Sequence, residues 1–137
     1  MLDTDYVLGL VDGEGCFAIH LNRSPLRRAR VEPHFCLKLK AEDRELLDEL
    51  QNFFGCGKVY IQRDTRPNHS LCYRFEVNNR DELWNIIVPF FEQHPPRSPS
   101  KRRDFELFRQ IMMLIREDKH LTGEGLQIMS ELKAQMH

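Results

Sequence analysis

The sequence has no long hydrophobic run and almost no net charge. No stretch approaches the roughly 18 consecutive apolar residues of a membrane-spanning helix, and the first five residues carry two aspartates and no basic residue. These absences argue against a transmembrane protein, and the acidic start is unlike a signal or transit peptide. We therefore expect an intracellular, cytoplasmic protein, bacterial or organellar, with no targeting signal and no membrane partner.

Cysteine is also sparse, and the sequence contains no Cys-x-x-Cys pair, the spacing typical of zinc sites and redox motifs. Most of the cysteines lie among apolar neighbours in segments that are typical of strands or turns. We interpret them as buried, reduced thiols of an intracellular protein, and disulfides or zinc ligation are the less favoured alternatives. The four are Cys16, Cys36, Cys56 and Cys72.

The net charge is −1, yet the basic residues are concentrated in two blocks. Residues 20–40 contain six arginines and lysines against one glutamate, and residues 58–80 contain five against two acidic residues. The segments 41–57 and 81–95 are net acidic instead. Because clustered cations create a local field that attracts nucleic acid, DNA binding is the favoured interpretation of the two blocks. The alternative is a solvated sheet face.

The periodicity of the apolar residues predicts one α+β domain over residues 1–137. Alternating apolar and polar residues indicate two β-hairpins, each with an apolar face and a basic, polar face. Val59 and Ile61 are among the side chains expected to point inward, and Asp3 or Thr4 can cap the first helix. Helices are expected at 4–13, 42–54, about 80–92, 101–118 and 123–135.

The segment 7–15 reads Val-Leu-Gly-Leu-Val-Asp-Gly-Glu-Gly. Gly9 and Gly13 lie one helical turn apart, although each glycine costs a helix about 1 kcal/mol relative to alanine. Glycine allows a second backbone to approach closely because it has no Cβ. Asp12 and Glu14 follow at the acidic end, and divalent cations prefer such oxygen ligands. The pattern predicts a closely packed helix pair with carboxylates at its base.

This segment resembles the LAGLIDADG motif of the homing endonucleases. Gly9, Leu10, Asp12 and Gly15 are identical to that motif, whereas Leu8 and Gly13 differ from it in size. The other motif positions, Val7, Val11 and Glu14, are close replacements. Further likenesses are Phe-Phe-Gly-x-Gly-x-Val at 53–59, Val-Pro-Phe-Phe at 88–91, a Lys-x-x-Asp-Phe segment at 101–105 and the tail at 120–126.

The resemblance implies an αββαββα fold with a four-stranded antiparallel DNA-binding sheet and C-terminal helices. It implies a site-specific endonuclease that cuts both strands of double-stranded DNA at a long pseudo-palindromic target, uses a divalent metal and leaves 3′ overhangs. A single motif copy implies a homodimer, because one glycine ridge needs a partner ridge and one Glu14 cannot serve two strands. The interface would comprise Val7, Gly9, Leu10 and Gly13.

The resemblance also assigns the catalytic residues. Glu14 would bind Mg²⁺ with help from the Gly13 carbonyl, and Mn²⁺ or Ca²⁺ would substitute in binding. Lys101 would lie at the edge of the active site, and Lys40, or failing that Lys38, would lie near its water network. For Glu14 the alternative is a helix-end cap, which the helix dipole disfavours. For Lys101 it is a phosphate contact.

The outward strand residues are the candidates for reading bases in the major groove, which admits a two-stranded ribbon. Two alternatives keep the fold without the cleavage, namely an intron-RNA splicing maturase and a catalytically inactive DNA-binding protein. The candidate base contacts are His20, Asn22, Arg23, Arg30, His34, Lys38, Lys58, Tyr60, Gln62 and Arg74, and the candidate phosphate contacts are Arg27, Arg28, Arg63 and Arg66.

Overall fold

A computed structural model describes residues 2–24, 27–62 and 71–137, and in the segment 23–29 it describes no side chains. The strands are β1 (Gly15–Ser24), β2 (Arg27–Lys40), β3 (Lys58–Gln62) and β4 (Cys72–Val77). The helices are α1 (Thr4–Glu14), α2 (Arg44–Phe54), α3 (Arg80–Glu82), α4 (Val88–Gln93), α5 (Pro99–Arg116) and α6 (Gly123–Ala134). This order confirms the predicted α+β fold with its two hairpins and C-terminal helices.

Helix α1 begins and ends with specific local interactions. The Asp3 carboxylate caps it by accepting a hydrogen bond from the Tyr6 backbone N–H at 2.8 Å. At the other end the helix passes into β1 at Gly15 with no intervening residue. A Cβ on Gly15 would lie 2.9 Å from the Val11 carbonyl oxygen, so only glycine fits this abrupt turn without displacement.

The four strands form one antiparallel sheet in the order β1-β2-β4-β3. Phe35 of β2 pairs with Phe17 on one side and with Val77 on the other. Alternation along these strands places apolar side chains on one face, which the helices cover, and polar side chains on the opposite face. We call the helix-covered side the inner face and the other the outer face.

The core lies between the inner face and the helices. All nine phenylalanines of the sequence take part in ring contacts with one another, and the distances between ring centroids run from 4.8 Å for Phe90–Phe91 to 6.4 Å for Phe35–Phe75. The cluster joins the two hairpins to α2, α4 and α5. Ile61 was expected to be covered as well, but it is 39% exposed because it lies near the end of the edge strand β3.

The helical run that follows the sheet contains a wider turn. A π-helical segment, Leu83–Ile87, separates α3 from α4. Pro89, the second residue after this segment, cannot donate the backbone hydrogen bond that a regular α-helix requires there, so the wider turn lies where the regular ladder is interrupted. Across the described ranges, none of the helices combines the length and apolarity of a bilayer crossing.

Candidate active site and nucleic-acid interface

One side of α1 is open. Gly9 and Gly13 are exposed, and a Cβ added to either glycine would meet no atom within 4 Å. Leu10 is half-buried beside them, and Tyr6 on the same side is 48% exposed. The motif predicts that Val7 lies on this surface too, but Val7 is fully buried in the core of its own subunit because it lies on the opposite side of the helix. We call Tyr6, Gly9, Leu10 and Gly13 the glycine face.

The C-terminal end of α1 brings two of the predicted catalytic residues into one region. Glu14 is exposed as the last residue of the helix. The ammonium of Lys101, in the first turn of α5, donates a hydrogen bond to the carbonyl of Gly15, the next residue along the chain. A cation is favoured at a helix C-terminus, where the backbone carbonyls have no helical partners. The fold therefore holds a lysine close to the motif carboxylate.

Asp12 positions the segment that leads to Lys101. Its two carboxylate oxygens accept hydrogen bonds from the backbone N–H of Arg97 at 3.1 and 3.2 Å. Arg97 lies two residues before the start of α5, so this contact ties the end of the motif to the helix that carries Lys101. Asp12 thus has a structural role in holding this segment against the end of α1. Beside it, a cavity of about 320 Å³ reaches Gly9.

A buried carboxylate on α5 was not predicted as a functional residue from the sequence. Asp104 is only 7% exposed and accepts hydrogen bonds from the backbone N–H of His137 at 3.0 Å and from its imidazole Nδ1 at 3.2 Å. Its negative charge also acts on the thiol of Cys16. The sequence feature that could have identified Asp104 is its position three residues after Lys101, which places both side chains on one side of the helix.

Two thiols lie next to this region. Cys16 and Cys36 are directly opposite each other on β1 and β2, and their side chains hydrogen-bond. This bond, in which Cys36 donates, lowers the pKa of Cys16 to about 6, and the Lys101 charge acts in the same direction. Donation and burial raise the pKa of Cys36. Burial similarly raises the pKa of Cys56 to about 11.

The interpretation of the cysteines as buried thiols therefore needs correction at one position. Cys36 and Cys56 are buried, and all four cysteines are reduced. Cys16, however, is exposed, because the alternation of β1 places it on the outer face, two residues after the end of α1. Cys72 is half-buried.

The two candidate lysines on β2 differ in distance along the strand from this region. Gly15 pairs with Leu37, so Lys38 follows immediately, whereas Lys40 pairs with Cys72 further along. Both lysines are exposed. Among the described residues no hydrogen bond or ion pair joins Lys40 to Glu14, and the strand register places Lys38 nearer to the end of α1.

The outer face carries most of the predicted DNA-contacting side chains that the structure describes. On the first hairpin Asn22 pairs with Arg30, and on the second hairpin Tyr60 pairs with Arg74. Glu32 and Glu76 also lie on this face, so the charge is mixed but mainly positive. Arg63 and Arg66, and the side chains of Arg23, Arg27 and Arg28, lie outside the described part of the chain. Of the others, His20, Asn22, Arg30, Lys38, Lys58 and Tyr60 are exposed, and His34, Gln62 and Arg74 are half-buried.

Arg74 differs from the exposed cations because its charge is paired. Its guanidinium donates a hydrogen bond to Glu76 at 2.9 Å, and the Tyr60 hydroxyl donates to the other Glu76 oxygen at 3.2 Å. Burial raises the pKa of Tyr60, and Glu76 raises it further. In the same region burial lowers the pKa of His34. The three residues Tyr60, Arg74 and Glu76 thus form a hydrogen-bonded cluster on the outer face.

The end of α1 offers oxygen donors of the kind that Mg²⁺ prefers, namely an exposed carboxylate and backbone carbonyls. Mg²⁺ commonly takes only one or two carboxylates from a protein and completes its coordination with water and phosphate. In the described ranges no three side chains of His, Cys, Asp or Glu converge as a metal-ligating group. The oxygen donors at the end of α1 that fit such an ion are therefore one exposed carboxylate and the backbone carbonyls.

Helix α1 thus has an open glycine face, a carboxylate at its end and the α5 lysine Lys101 beside that end, and it lies next to a sheet with a polar outer face. The sequence profile described as LAGLIDADG endonuclease matches residues 7–112. The chain belongs to this family.

Known members resemble the chain over nearly all of its length. The probable intron-encoded endonuclease 2 of Neurospora crassa is 33% identical over 99% of the chain. The crystal structure of the homing endonuclease I-TnaI superposes with a TM-score of 0.86 at 36% identity, covering 99% of this chain and 88% of that one. I-SmaMI, bound to an uncleaved DNA target in the presence of calcium ions, gives a TM-score of 0.89 at 26% identity, covering 100% of this chain and 45% of that one.

The lengths of these proteins differ. The chain spans 29%, 26% and 24% of three curated relatives that it matches, whereas it spans most of I-TnaI. The fold is therefore shared with proteins of two sizes. One size corresponds to about one such unit, and the other is more than twice as long.

Proposed function

We propose that the chain is a site-specific endonuclease that cuts both strands of double-stranded DNA, acts as a homodimer and requires a divalent metal, with Mg²⁺ as the working ion. The observation that carries this proposal is the placement of Glu14 and Lys101 at one end of α1, next to the outer face of the sheet. Membership of the LAGLIDADG endonuclease family supports the same reaction.

The outer face supplies the surface for DNA. Exposed Arg30, Lys38 and Lys58 lie on it together with exposed His20 and Asn22. A two-stranded ribbon enters the major groove, where Arg and Lys read guanine and Asn and Gln read adenine. The DNA-bound I-SmaMI structure supports this partner, since it shares the fold at a TM-score of 0.89.

The glycine face supplies the surface for a second subunit. Gly9 and Gly13 leave open space that a second α1 fills when the same surface meets itself about a two-fold axis. Such contact brings the two copies of Glu14 together and sets two outer faces side by side. A two-fold axis also predicts a long pseudo-palindromic target.

The chemistry is hydrolysis of one phosphodiester bond in each strand, leaving 3′ overhangs. Glu14 and the Gly13 carbonyl would hold the Mg²⁺ ion, which activates water and offsets charge on the departing oxygen. Lys101, whose ammonium donates to the Gly15 carbonyl, would stabilise the negative charge that develops on the phosphate. Asp12 positions this lysine through the Arg97 backbone.

Cleavage of a plasmid library with randomised targets, followed by sequencing of the cut ends, tests the proposal. We expect one long, roughly palindromic site cut with short 3′ overhangs in Mg²⁺, and no cutting when EDTA removes the metal. Glu14→Gln should abolish cutting and retain binding, because the amide keeps the shape of the side chain but loses its charge.

The matched control is Glu45→Gln, at an exposed carboxylate on α2, which covers the opposite face of the sheet. This variant should cut as the wild type does. Cleavage that survives Glu14→Gln would remove Glu14 from the proposed role. Sequence-specific binding with no cutting by the wild type would leave a DNA-binding protein or a maturase as the function.

A further inference from the structure

Cys16 and Cys36 form a pair that the cleavage chemistry does not use. They occupy directly opposite positions on the antiparallel strands β1 and β2, with Gly15 paired to Leu37 on one side and Phe17 to Phe35 on the other. The pair lies on the outer face, and both thiols are free.

The geometry suits a covalent bond between the two sulfurs. Directly opposite residues of an antiparallel pair have Cα atoms about 4.5–5.5 Å apart, and disulfides span Cα separations of about 4.4–6.8 Å. The side chains already hydrogen-bond, so the sulfurs point toward each other. A disulfide can therefore form here with little backbone movement.

The two thiols differ in their access to solvent. Cys16 is exposed, so a small oxidant reaches it directly. Cys36 is only 9% exposed, and its nearest thiol is that of Cys16. An accessible thiol beside a sheltered one is the arrangement of a peroxide-reactive cysteine with its resolving partner.

We propose that Cys16 and Cys36 are a reversible redox site that reduces a small peroxide and closes as a disulfide across β1 and β2. The inference goes beyond the proposed endonuclease function and does not depend on it. It rests on the register of the two strands and on the difference in exposure.

The reaction proceeds in two steps. The Cys16 sulfur attacks one peroxide oxygen and the O–O bond breaks, so that Cys16 becomes a sulfenic acid and one water leaves for hydrogen peroxide. The Cys36 sulfur then attacks the Cys16 sulfur, the S–O bond breaks, and the hydroxyl leaves as water with the Cys36 proton. The two thiols together lose two electrons and two protons, and the peroxide yields two waters.

The bond would lie beside the candidate active site. Gly15, whose carbonyl accepts the hydrogen bond from Lys101, directly precedes Cys16. The disulfide would thus fasten the start of β1 to β2 next to this lysine.

Peptide mapping of peroxide-treated protein tests the inference without DNA. After stoichiometric hydrogen peroxide, the thiol count of the unfolded chain should fall from four to two, and a non-reducing digest should link the peptides that contain Cys16 and Cys36. Dithiothreitol should restore all four thiols. In Cys36→Ser, the Cys16 sulfenic acid should persist and react with dimedone.

The control is Cys56→Ser, at a buried thiol outside the pair, which should form the same disulfide as the wild type. A linkage between Cys16 residues of two chains, oxidation of Cys72 in place of Cys16, or loss of no thiols would each overturn the inference. The mapping uses the wild-type chain, so it remains decisive even when a variant fails to fold. The disulfide can form in a protein that does not cleave DNA, and a protein that cleaves DNA can fail to form the disulfide, so the two proposals are tested separately.

Discussion

Lys101 connects the motif to a helix that lies far from it in the sequence. Its hydrogen bond to the Gly15 carbonyl and the contact between Asp12 and Arg97 both join the end of α1 to the start of α5. Arg102 does not share this role, because its guanidinium donates to the carbonyls of Pro96 and Arg97. Within the basic run at the start of α5, Lys101 is the cation directed at the motif.

We therefore expect Lys101→Met to lower the cleavage rate by about 100-fold, the usual effect of losing one preorganised donor, and to leave DNA affinity nearly unchanged. Arg103→Met is the matched control, since Arg103 is exposed two residues further along. Single-turnover cleavage and filter binding on the identified target measure the two quantities. If the two variants lose affinity equally and cut normally once bound, Lys101 is a phosphate contact instead.

The half-buried side chain of His34 should make the free energy of unfolding depend on pH. Burial lowers its pKa in the folded state, so the unfolded chain binds more protons between that value and the ordinary value of about 6.5. The contribution of the neutral His34 is complete above about pH 6.5 and is lost as the pH falls toward its folded pKa.

NMR titration should place the midpoint of His34 below that of the same residue in urea-unfolded chain, and His34→Gln identifies the signal by its absence. Urea unfolding of this variant should show a weaker loss of stability between pH 6.5 and 5. A folded-state midpoint at or above the unfolded one would contradict the expectation.

At the level of individual residues, the sequence predicted those features that follow from strand alternation or from position in the motif. It placed Lys38 and Lys40 outward and Glu14 at the end of a helix, as observed. It did not pair Cys16 with Cys36, because strand register depends on how two hairpin arms align in three dimensions. It also misplaced Val7, because the motif does not reveal which side of α1 the subunit itself buries.

The junction between α1 and β1 shows how one element fixes the next. Helix and strand meet at Gly15 without a linker, and Gly15 lies against the Val11 carbonyl. The same residue pairs with Leu37 and accepts the hydrogen bond from Lys101. Sheet register and active-site position therefore both depend on this turn.

We expect Gly15→Ala to destabilise the protein by about 1–3 kcal/mol, because the added Cβ would overlap a backbone atom that cannot move away alone. Urea denaturation followed by circular dichroism measures the loss. Gly123→Ala, in the first turn of α6, is the control, because its Cβ would meet nothing within 4 Å. Equal stability of the two variants would show that the turn can adjust freely.

The elements themselves were largely predictable, and their ends less so. The predicted helix 42–54 begins as a 3-10 turn and is α-helical from Arg44. It ends at Gly55, whose φ of +70° is a backbone conformation that favours glycine. The predicted helix at 80–92 is interrupted by the π segment Leu83–Ile87. Apolar spacing reports which face is buried, but it does not report a local change in hydrogen-bond pattern.

On the scale of the whole molecule, the glycine face is the part of the motif that a single chain leaves uncovered. Asp12, at the end of α1, is already occupied with Arg97, so it does not compete for this surface. The remaining open positions, Gly9 and Gly13, are available to a second chain.

We expect Gly9→Leu to fold normally and to be monomeric, because the new side chain has room in the subunit but blocks the approach of a second α1. Sedimentation equilibrium at micromolar concentration should give the mass of a dimer for the wild type and of one chain for the variant. Gly123→Leu, at another open glycine, should remain dimeric. A monomeric wild type would refute the proposed assembly.

The separation of the two sheet faces has a consequence for how such a protein changes over generations. The phenylalanine core lies entirely on the helix-covered side, so exposed side chains such as Asn22, Arg30 and Lys58 can be exchanged with little loss of folding free energy. If the outer face binds DNA as proposed, a lineage can then drift toward new target sequences one substitution at a time while every intermediate stays folded. The cluster of Tyr60, Arg74 and Glu76 is the exception, since its members depend on one another and must be replaced together.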